Sequence, residues 1–264
     1  MRNLAIAGVL LAALIGGIGT ARAQGEQQAI VDRATLAAQE LLGANDRSED
    51  AIRLLRRARA VMVCPRLFRA GFIFGGEGGD CVLVARDGGG SWSSPAFYTM
   101  GSASVGFQIG VQDAQVMMIV LTDRGLNALM DSQFKVGADA SIAFAHLGAG
   151  VEGSTTAAVG ADIVTFARTR GLFAGLSLEG SILTYRSAGN RAYYGRDVSA
   201  RGLVISMEAH NPGADPLRAV LLRYGADGGA AAPPPMASAP PPAGRAPPPG
   251  RVAQEALPTP PRGR

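Results

Sequence analysis

The sequence predicts an α+β fold, with a predominantly antiparallel β-sheet, N-terminal helices and a short C-terminal helix in a single domain. Apolar residues recur at helical spacing between positions 30 and 62. From Ala70 onward the period changes to two, which is typical of strands, and it becomes helical again at 215–224. Helices near the ends of the chain with strands between them favour an α+β architecture over an alternating α/β one.

The first 23 residues have the layout of a secretory signal peptide. Arg2 is followed by an apolar segment over 4–18, and Ala21-Arg22-Ala23 matches the A-x-A motif of a signal-peptide cleavage site. This segment is shorter than the roughly 20 residues that a membrane span needs, so an uncleaved anchor is the less favoured alternative. We therefore expect a mature chain that begins at Gln24 and is periplasmic or secreted.

Two helices are expected at the start of the mature chain. The first stops at Gly43. The second begins at Asp46, which forms a capping-box-like pair with Glu49, and Pro65 ends it, with a switch to strand around 61–64 as the alternative. The apolar stripes are Ile30, Ala34, Ala37, Ala38 and Leu41 in the first helix, and Ala51, Leu54, Leu55, Ala58, Val61 and Met62 in the second.

The middle of the chain has the pattern of a series of strands. Residues 103–111 alternate between apolar and small polar positions, as a half-buried strand does, and the apolar run at 116–121 fits a central strand. Thr122 then caps a short helix that continues to Met130, and a closing helix covers 215–224. Further strands are expected at 138–145, 161–168, 172–178 and 181–186.

The stretch AGFIFGGEGGDC raises the question of a phosphate-binding loop. Its glycines have the spacing of a P-loop, but Glu77 occupies the position of the phosphate-binding lysine, where a carboxylate would repel phosphate. The dinucleotide-binding pattern also fails, because Cys81 stands at its sixth position and a strand follows. We therefore expect the glycines to form the turn of a hairpin between strands at 70–75 and 81–86.

Other catalytic patterns are incomplete. His146 and His210 have no metal-ligand spacing. The sequence GLSLE at 175–179 begins like a nucleophile elbow, but Glu179 stands where the second glycine belongs. We therefore expect a protein that is not an enzyme, with no catalytic residue, no metal and no cofactor.

Charge is divided unevenly along the chain. Six of the 25 basic residues and two of the 21 acidic ones lie in the signal peptide or the tail, which leaves 19 of each in 24–224. A neutral domain lacks the cationic surface that nucleic acid requires. The tail at 225–264 holds 12 of the 16 prolines. We expect it to be a disordered Pro/Ala/Gly-rich spacer, with binding of an envelope protein as the alternative.

One cluster of arginines stands out from this neutral background. Seven arginines lie between positions 47 and 69, against only two acidic residues, Glu49 and Asp50. A basic amphipathic helix can lie on anionic lipid headgroups, whereas the alternative is an ordinary surface helix with solvated arginines. The candidate lipid-binding residues are Arg53, Arg56, Arg57, Arg59, Arg66, Phe68 and Arg69.

Two further features each leave two alternatives open. In an oxidising compartment, Cys64 and Cys81 form a disulfide or remain as two buried free thiols. Trp92 follows a glycine-rich turn, and it lies at a membrane interface or folds back onto the core.

The order of several stretches resembles the SYLF domain, a lipid-binding family with secreted bacterial members. Together these stretches span nearly the whole of the domain expected at 24–224. They are AGF at 70–72 through GG at 75–76 to Gly79, VLVAR at 82–86, WSSP at 92–95, SVGFQIG at 104–110, GADAS at 137–141, GLFAG at 171–175 through LEG at 178–180, and Asn190 with YYG at 193–195.

The resemblance implies a non-enzymatic module that binds phospholipid and has a basic N-terminal helical sequence. Some fungal members also bind actin, but a signal peptide removes actin and cytosolic phosphoinositides from consideration here. A proline-rich tail stands in place of the SH3 or FYVE domains of eukaryotic members, and FAHLGA at 144–149 replaces an expected Gly-Pro turn. The predicted function is therefore peripheral binding of an anionic phospholipid membrane surface. The alternative is an envelope module that docks to protein or peptidoglycan.

Overall fold

Eight strands and six helices make up the part of the chain that the computed structural model describes, which is residues 24–43, 48–71, 74–105, 110–131, 133–146, 160–171, 178 and 180–226. The strands are β1 Ala60–Gly71, β2 Phe74–Ala85, β3 Ala96–Val105, β4 Gly110–Val120, β5 Gln133–Lys135, β6 Ile142–His146, β7 Ile163–Gly171 and β8 Ile182–Tyr185. The helices are α1 at 24–42, α2 Glu49–Arg56, α3 Asp123–Met130, α4 Ser187–Tyr194, α5 Ala200–Val204 and α6 Asp215–Gly225.

The strands form one sheet in the order β5-β8-β3-β2-β1-β4-β7-β6. Neighbouring strands are antiparallel except for β6 and β7, which pair in parallel at one edge. The long strands β1 and β2 lie near the middle of the sheet. The predicted α+β fold with a predominantly antiparallel sheet is therefore confirmed.

The centre of the sheet is buried on both faces. Strands covered on both sides carry continuous apolar runs, such as the residues at 60–64, and neighbouring residues point to opposite faces. On the first face, α1, α2 and α6 pack over Val61, Val63, Val82, Phe97, Met117 and Ile119. On the second face, α3 and α5 pack over Met62, Leu83, Tyr98, Met100, Val116 and Met118.

A β-bulge interrupts β1 at Pro65. The register of β1 shifts by one residue against both neighbours, between Val63 and Phe68 on the β2 side and between Cys64 and Leu67 on the β4 side. A proline has no N–H to donate, so it is tolerated in an inner strand where the hydrogen-bond ladder is already broken. Before the bulge, the odd-numbered side chains of β1, such as Val61 and Val63, point to the first face of the sheet. Beyond the bulge, the even-numbered side chains point to that face, and the odd-numbered Leu67 points to the second face.

The structure corrects the predicted position of the glycine turn. The hairpin exists, but β1 continues to Gly71 and β2 begins at Phe74, so the glycines at 75–79 lie inside β2. Gly78 pairs with Phe68 in that register. The pairing of Val63 with Val82 already centres the turn between Gly71 and Phe74, ahead of the glycines, and the glycine pattern alone does not reveal that pairing.

Two other predicted elements differ from the structure, and two short helices were not predicted. The expected strand at 103–111 is divided, because β3 ends at Val105 and β4 begins at Gly110. The second helix ends at Arg56, and the switch to strand begins at Ala60, so Pro65 lies within β1 instead of ending a helix. The short helices α4 and α5 were not expected from the sequence.

Several predicted elements are found close to their expected positions. Thr122 caps α3, since its hydroxyl accepts a hydrogen bond from the backbone N–H of Gly125, and α6 closes the domain. The strand expected at 172–178 falls mostly outside the described residues, as do the signal peptide, Asp46, the 147–149 part of the expected turn and almost all of the tail.

Candidate functional site

The predicted lipid-binding residues lie at two separate places, one in α2 and the turn before β1 and the other within β1. Arg66 is seven residues along the extended chain from Arg59, which is roughly 23 Å at the usual rise of a strand. The structure therefore does not bring all of them into one surface. The first group is Arg53, Arg56, Arg57 and Arg59, and the second is Arg66, Phe68 and Arg69.

A groove of about 780 Å³ opens beside the first group, and we call it the basic groove. Arg56, Arg57 and Arg59 line it, because α2 ends at Arg56 and a short turn leads from there into β1. The rest of the lining comes from the turn after β2 and from the residues that flank β4 and β7. These residues include Arg86, Asp87, Gly88, Thr122 and Gly160.

The arginines of the first group differ in their pairing. Arg53 forms an ion pair with Asp50 on α2, and Arg59 Nε lies 3.5 Å from Asp123 Oδ1. Both arginines remain more than half exposed. Within the described part of the chain, the exposed guanidinium groups of Arg56 and Arg57 have no carboxylate partner. These two side chains, together with Arg86, carry the positive charge of the basic groove that is not paired with a carboxylate, and Asp87 also lines the groove.

Arg86 connects three parts of the chain beside the basic groove through hydrogen bonds. Its guanidinium donates to the backbone carbonyls of Arg56 at 2.6 Å, Gly90 at 3.2 Å and Gly225 at 3.3 Å. It also lies over the ring of Trp92, 5.7 Å from the centroid. Since Trp92 is only 2 % exposed, it has folded back onto the core. The role of Arg86 was not predicted, because its only signal in the sequence is its place beside the glycine turn at 87–90.

The second group is divided between the two faces of the sheet. On the first face, Arg66 forms a bidentate ion pair with Asp113, at 2.8 and 3.1 Å. Its guanidinium lies 5.8 Å from the centroid of the Phe68 ring, which is 42 % exposed. Hydrogen bonding and the charge of Asp113 raise the pKa of Arg66 above its ordinary value, so this cation is engaged within the protein.

Arg69 lies on the second face, away from Arg66 and Phe68. Its Nε is 3.1 Å from Oε2 of Glu77, whose side chain is almost completely buried. Burial raises the pKa of Glu77, and the charge of Arg69 opposes that rise. The structure thus places Arg69 as the partner of a buried carboxylate and not on the surface that carries Phe68.

Ser94, His210 and Asp215 are aligned in the order of a hydrolase triad, but their geometry does not match one. Ser94 Oγ lies 3.2 Å from His210 Nδ1, and His210 Nε2 lies 3.6 Å from Asp215 Oδ1. In a serine hydrolase the serine contacts Nε2 and the carboxylate contacts Nδ1. Ser94 is also only 4 % exposed. The arrangement does not provide an accessible nucleophile.

Among the described residues, no three His, Cys, Asp or Glu side chains cluster in a way that could hold a metal ion. None of the helices in this part of the chain combines the length and apolar character needed to cross a bilayer.

Cys64 and Cys81 are joined by a disulfide between the neighbouring strands β1 and β2. Both cysteines are fully buried in the core of the second face. Of the two alternatives left open by the sequence, the structure contains the disulfide.

Comparison with known proteins identifies the family. A family profile described as Ysc84, Las17-binding protein actin regulator, matches residues 101–224. An SH3 domain-containing protein of Schizosaccharomyces pombe is 34 % identical over 192 residues, which is 72 % of this chain and 43 % of that protein. The chain belongs to the Ysc84, or SYLF, family. The resemblance noted in the sequence is thereby confirmed.

Two more relatives extend the comparison. LAS seventeen-binding protein 3 of Saccharomyces cerevisiae is 30 % identical over 171 residues, 64 % of this SYLF chain and 37 % of the yeast protein. Human SH3 domain-containing YSC84-like protein 1 is 34 % identical over 135 residues, 51 % of this chain and 40 % of the human protein. The chain therefore spans about two fifths of the length of these curated relatives. Their names describe binding proteins and not enzymes.

Proposed function

We propose that this SYLF domain is a non-enzymatic module that binds anionic phospholipid at a membrane surface through the basic groove. The observation that carries the proposal is the pair Arg56 and Arg57. Their guanidinium groups are exposed and lack a carboxylate partner among the described residues, whereas Arg53 and Arg59 each have one. A phosphate group in the basic groove would supply the missing negative charge.

The expected strength of this interaction is modest. A basic residue near an anionic membrane surface contributes about 1 kcal/mol, so the arginines of the basic groove together give weak binding that depends on vesicle charge. Exposed charges are screened over about 8 Å at physiological salt. We therefore expect binding to be strongest at low ionic strength and to weaken as salt is added.

An exported, peripheral location fits this proposal. A signal peptide is predicted at 1–23, and the Cys64–Cys81 disulfide is the kind of bond that persists in oxidising compartments. The available anions at such a location are phosphatidylglycerol and cardiolipin headgroups, not cytosolic phosphoinositides. We propose a periplasmic or secreted protein that associates with the membrane from outside the cytoplasm.

The experiment is co-sedimentation of the chain from Gln24 onward with vesicles that contain phosphatidylglycerol or cardiolipin. We expect binding to these vesicles and none to pure phosphatidylcholine. The double variant R56E/R57E should lose binding, because it reverses the two charges that have no partner. The control R33E/R191E makes the same change in net charge at exposed positions outside the basic groove, and it should bind nearly as well as the parent. Equal binding by R56E/R57E and the parent would overturn the role of the basic groove.

A second candidate function is docking to a protein partner. The observation that favours it is the naming of the relatives, since the family is described as Las17-binding and a yeast relative carries the same description. A protein-docking module should still be retained by an immobilised envelope protein after detergent has removed lipid. Retention under those conditions, together with failure to bind any vesicle, would favour protein docking over lipid binding.

A further inference from the structure

The outer half of the first sheet face, beyond the cover of α1, carries an apolar ridge beside a shallow trough. Phe68 on β1 and Val111 on β4 form the ridge, and they are 42 % and 52 % exposed. On the other side of β1, residues of β2 and β3 that share this face have no side chain or only a methyl group. These trough residues are Gly76, Gly78, Gly101 and Ala103.

The register of the strands places the ridge next to the trough. Phe68 pairs with Gly78, which in turn pairs with Gly101, so one row across the sheet passes from the ridge into the trough. On β8, the partly exposed Ile182 pairs with Gly101 and forms the far wall of the trough. Phe74, which is 74 % exposed, stands at the end of the trough on β2.

The glycines of the trough are not required by the packing of the chain itself. Among the described residues, a Cβ atom added at Gly76, Gly78 or Gly101 would meet only a backbone oxygen at 3.7 to 3.9 Å, which is ordinary contact. None of the three has a positive φ. Their lack of side chains therefore leaves a space on the surface that is open to a group from outside.

We propose that this face binds a second copy of the same chain. The ridge and the trough lie side by side on one face, so a two-fold axis between them places the ridge of each copy in the trough of the other. A two-fold interface of this kind requires a patch that is complementary to itself. Packed sheets lie about 10 Å apart, which leaves a Phe68 ring room to reach the glycine floor.

The charges beside the ridge suit a copy of the chain better than a charged partner. Arg66 and Asp113 flank Phe68 and neutralise each other in a bidentate pair. Asp80, beside the trough on β2, likewise forms an ion pair with Arg186, and Arg33 of α1 borders the pocket beside Phe68 and Gly78. Most of the charge on this face is therefore compensated within the chain, which leaves apolar contact at its centre.

The size of the face predicts a weak dimer. Four strands are about 19 Å across and six or seven residues of strand are about 20 Å long. The area is thus about 400 Å² per copy, about half of what a stable interface usually buries. We therefore expect monomers at low micromolar concentration and a shift toward dimers at a few hundred micromolar.

The test is sedimentation velocity of the chain from Gln24 onward across that concentration range. We expect the parent to shift from monomer to dimer as concentration rises. V111D places a charge in the ridge, and G78Q fills the trough without adding apolar surface, so each variant should stay monomeric. L222D makes the same apolar-to-acidic change on α6, where Leu222 is 45 % exposed, and should dimerise like the parent. Circular dichroism and thermal unfolding establish that all three variants are folded.

The outcome separates this inference from the proposed lipid-binding function. A parent that remains monomeric throughout, or a dimer that survives both V111D and G78Q, overturns the inference and leaves the basic groove untouched. Loss of vesicle binding in V111D without any change in oligomeric state would also overturn it, since the ridge would then be a lipid contact. Loss of dimerisation with unchanged vesicle binding supports it.

Discussion

Arg69 on β1 and Glu77 on β2 form an ion pair beneath the second face of the sheet, with 3.1 Å between Nε and Oε2. The Glu77 side chain is 1 % exposed and that of Arg69 is 17 % exposed. The same strand carries the exposed pair of Arg66 with Asp113 on the other face. β1 thus contains one buried and one exposed arginine pair only three residues apart, which permits a matched comparison.

Removal of the buried cation should destabilise the fold strongly. R69A leaves Glu77 buried without its partner, and breaking a buried pair in this way costs about 3 to 5 kcal/mol. R66A should change the free energy of unfolding little, because its pair is exposed to solvent. Urea unfolding of both variants measures the difference. Equal effects of R69A and R66A would contradict the importance of burial.

Glu77 should give the protein a characteristic pH dependence. Burial raises the pKa of Glu77 above its ordinary value of 4.5, so the folded state keeps the proton to higher pH than the unfolded state does. This group therefore contributes less to stability as pH rises from about 4.5 through its folded pKa. In E77Q that decline should be absent, whatever the absolute stability of the variant. Parallel pH profiles of the free energy of unfolding for E77Q and the parent would refute this assignment.

Asp162 should have the opposite effect at acidic pH. Its carboxylate accepts hydrogen bonds from the Thr122 hydroxyl at 2.6 Å, from Arg124, and from the Ser141 hydroxyl and backbone N–H. Hydrogen bonding, led by Thr122, holds the pKa of Asp162 well below its usual range. The stabilisation is present above the unfolded pKa of 3.8 and is lost as pH falls through the folded value.

The variant D162N tests this role of Asp162. It should lose about 2 kcal/mol or more at pH 7, because several charge-assisted hydrogen bonds weaken together. It should also lose less stability than the parent on acidification. D123N is the control, since Asp123 lies in the first turn of α3 and its side chain is 70 % exposed. Thermal unfolding at several pH values would show whether the two aspartates differ as expected.

The Cys64–Cys81 disulfide should contribute measurably to stability. It closes a segment with a sequence separation of 17 residues, and a loop of about that length corresponds to about 3 kcal/mol in the unfolded-chain model. C64A/C81A should therefore unfold at lower urea concentration than the oxidised parent. Because both sulfurs are buried, reductant should act slowly on the folded protein. Two free thiols in denatured, unreduced protein would rule out the bond.

Gly79 should tolerate substitution less well than Gly76 or Gly78. A Cβ atom there would lie 2.1 Å from the backbone oxygen of Arg66 and 2.8 Å from Leu67 Cδ2. G79A should destabilise the protein by about 1 to 3 kcal/mol, since the bulged backbone must move. G78A one residue earlier should stay within about 0.5 kcal/mol of the parent. Chemical unfolding of the two alanine variants provides the comparison, and similar midpoints would argue against the close approach.

The sequence was sufficient for the fold class because the apolar periods of α1, β4 and α6 match the surfaces that they bury. It was insufficient for strand register, which depends on a bulge whose only local sign is Pro65. Without the bulge, alternation places Arg69 on the wrong face. The α4 and α5 helices were missed because they are short and their glycines give a weak apolar period.

The candidate site was only partly predictable for the same reason. A charge cluster in the sequence cannot reveal that Arg59 and Arg66 each meet a carboxylate, because Asp123 and Asp113 are distant in the chain. Nor does it reveal Arg86, which acts through the backbone carbonyls of residues from three separate elements. These relationships exist only after the strands have paired.

The bulge at Pro65 makes one position of this segment dispensable for strand register. Three steps along β1 from Cys64 to Leu67 oppose two steps along β4 from Val116 to Ala114. Deleting one residue between Cys64 and Leu67 would therefore remove the bulge and leave the partners and the sides of Leu67 to Gly71 unchanged. Homologous chains are thus free to lose one codon at this corner, whereas the loss of a codon from the regular part of the strand would turn the remainder inside out.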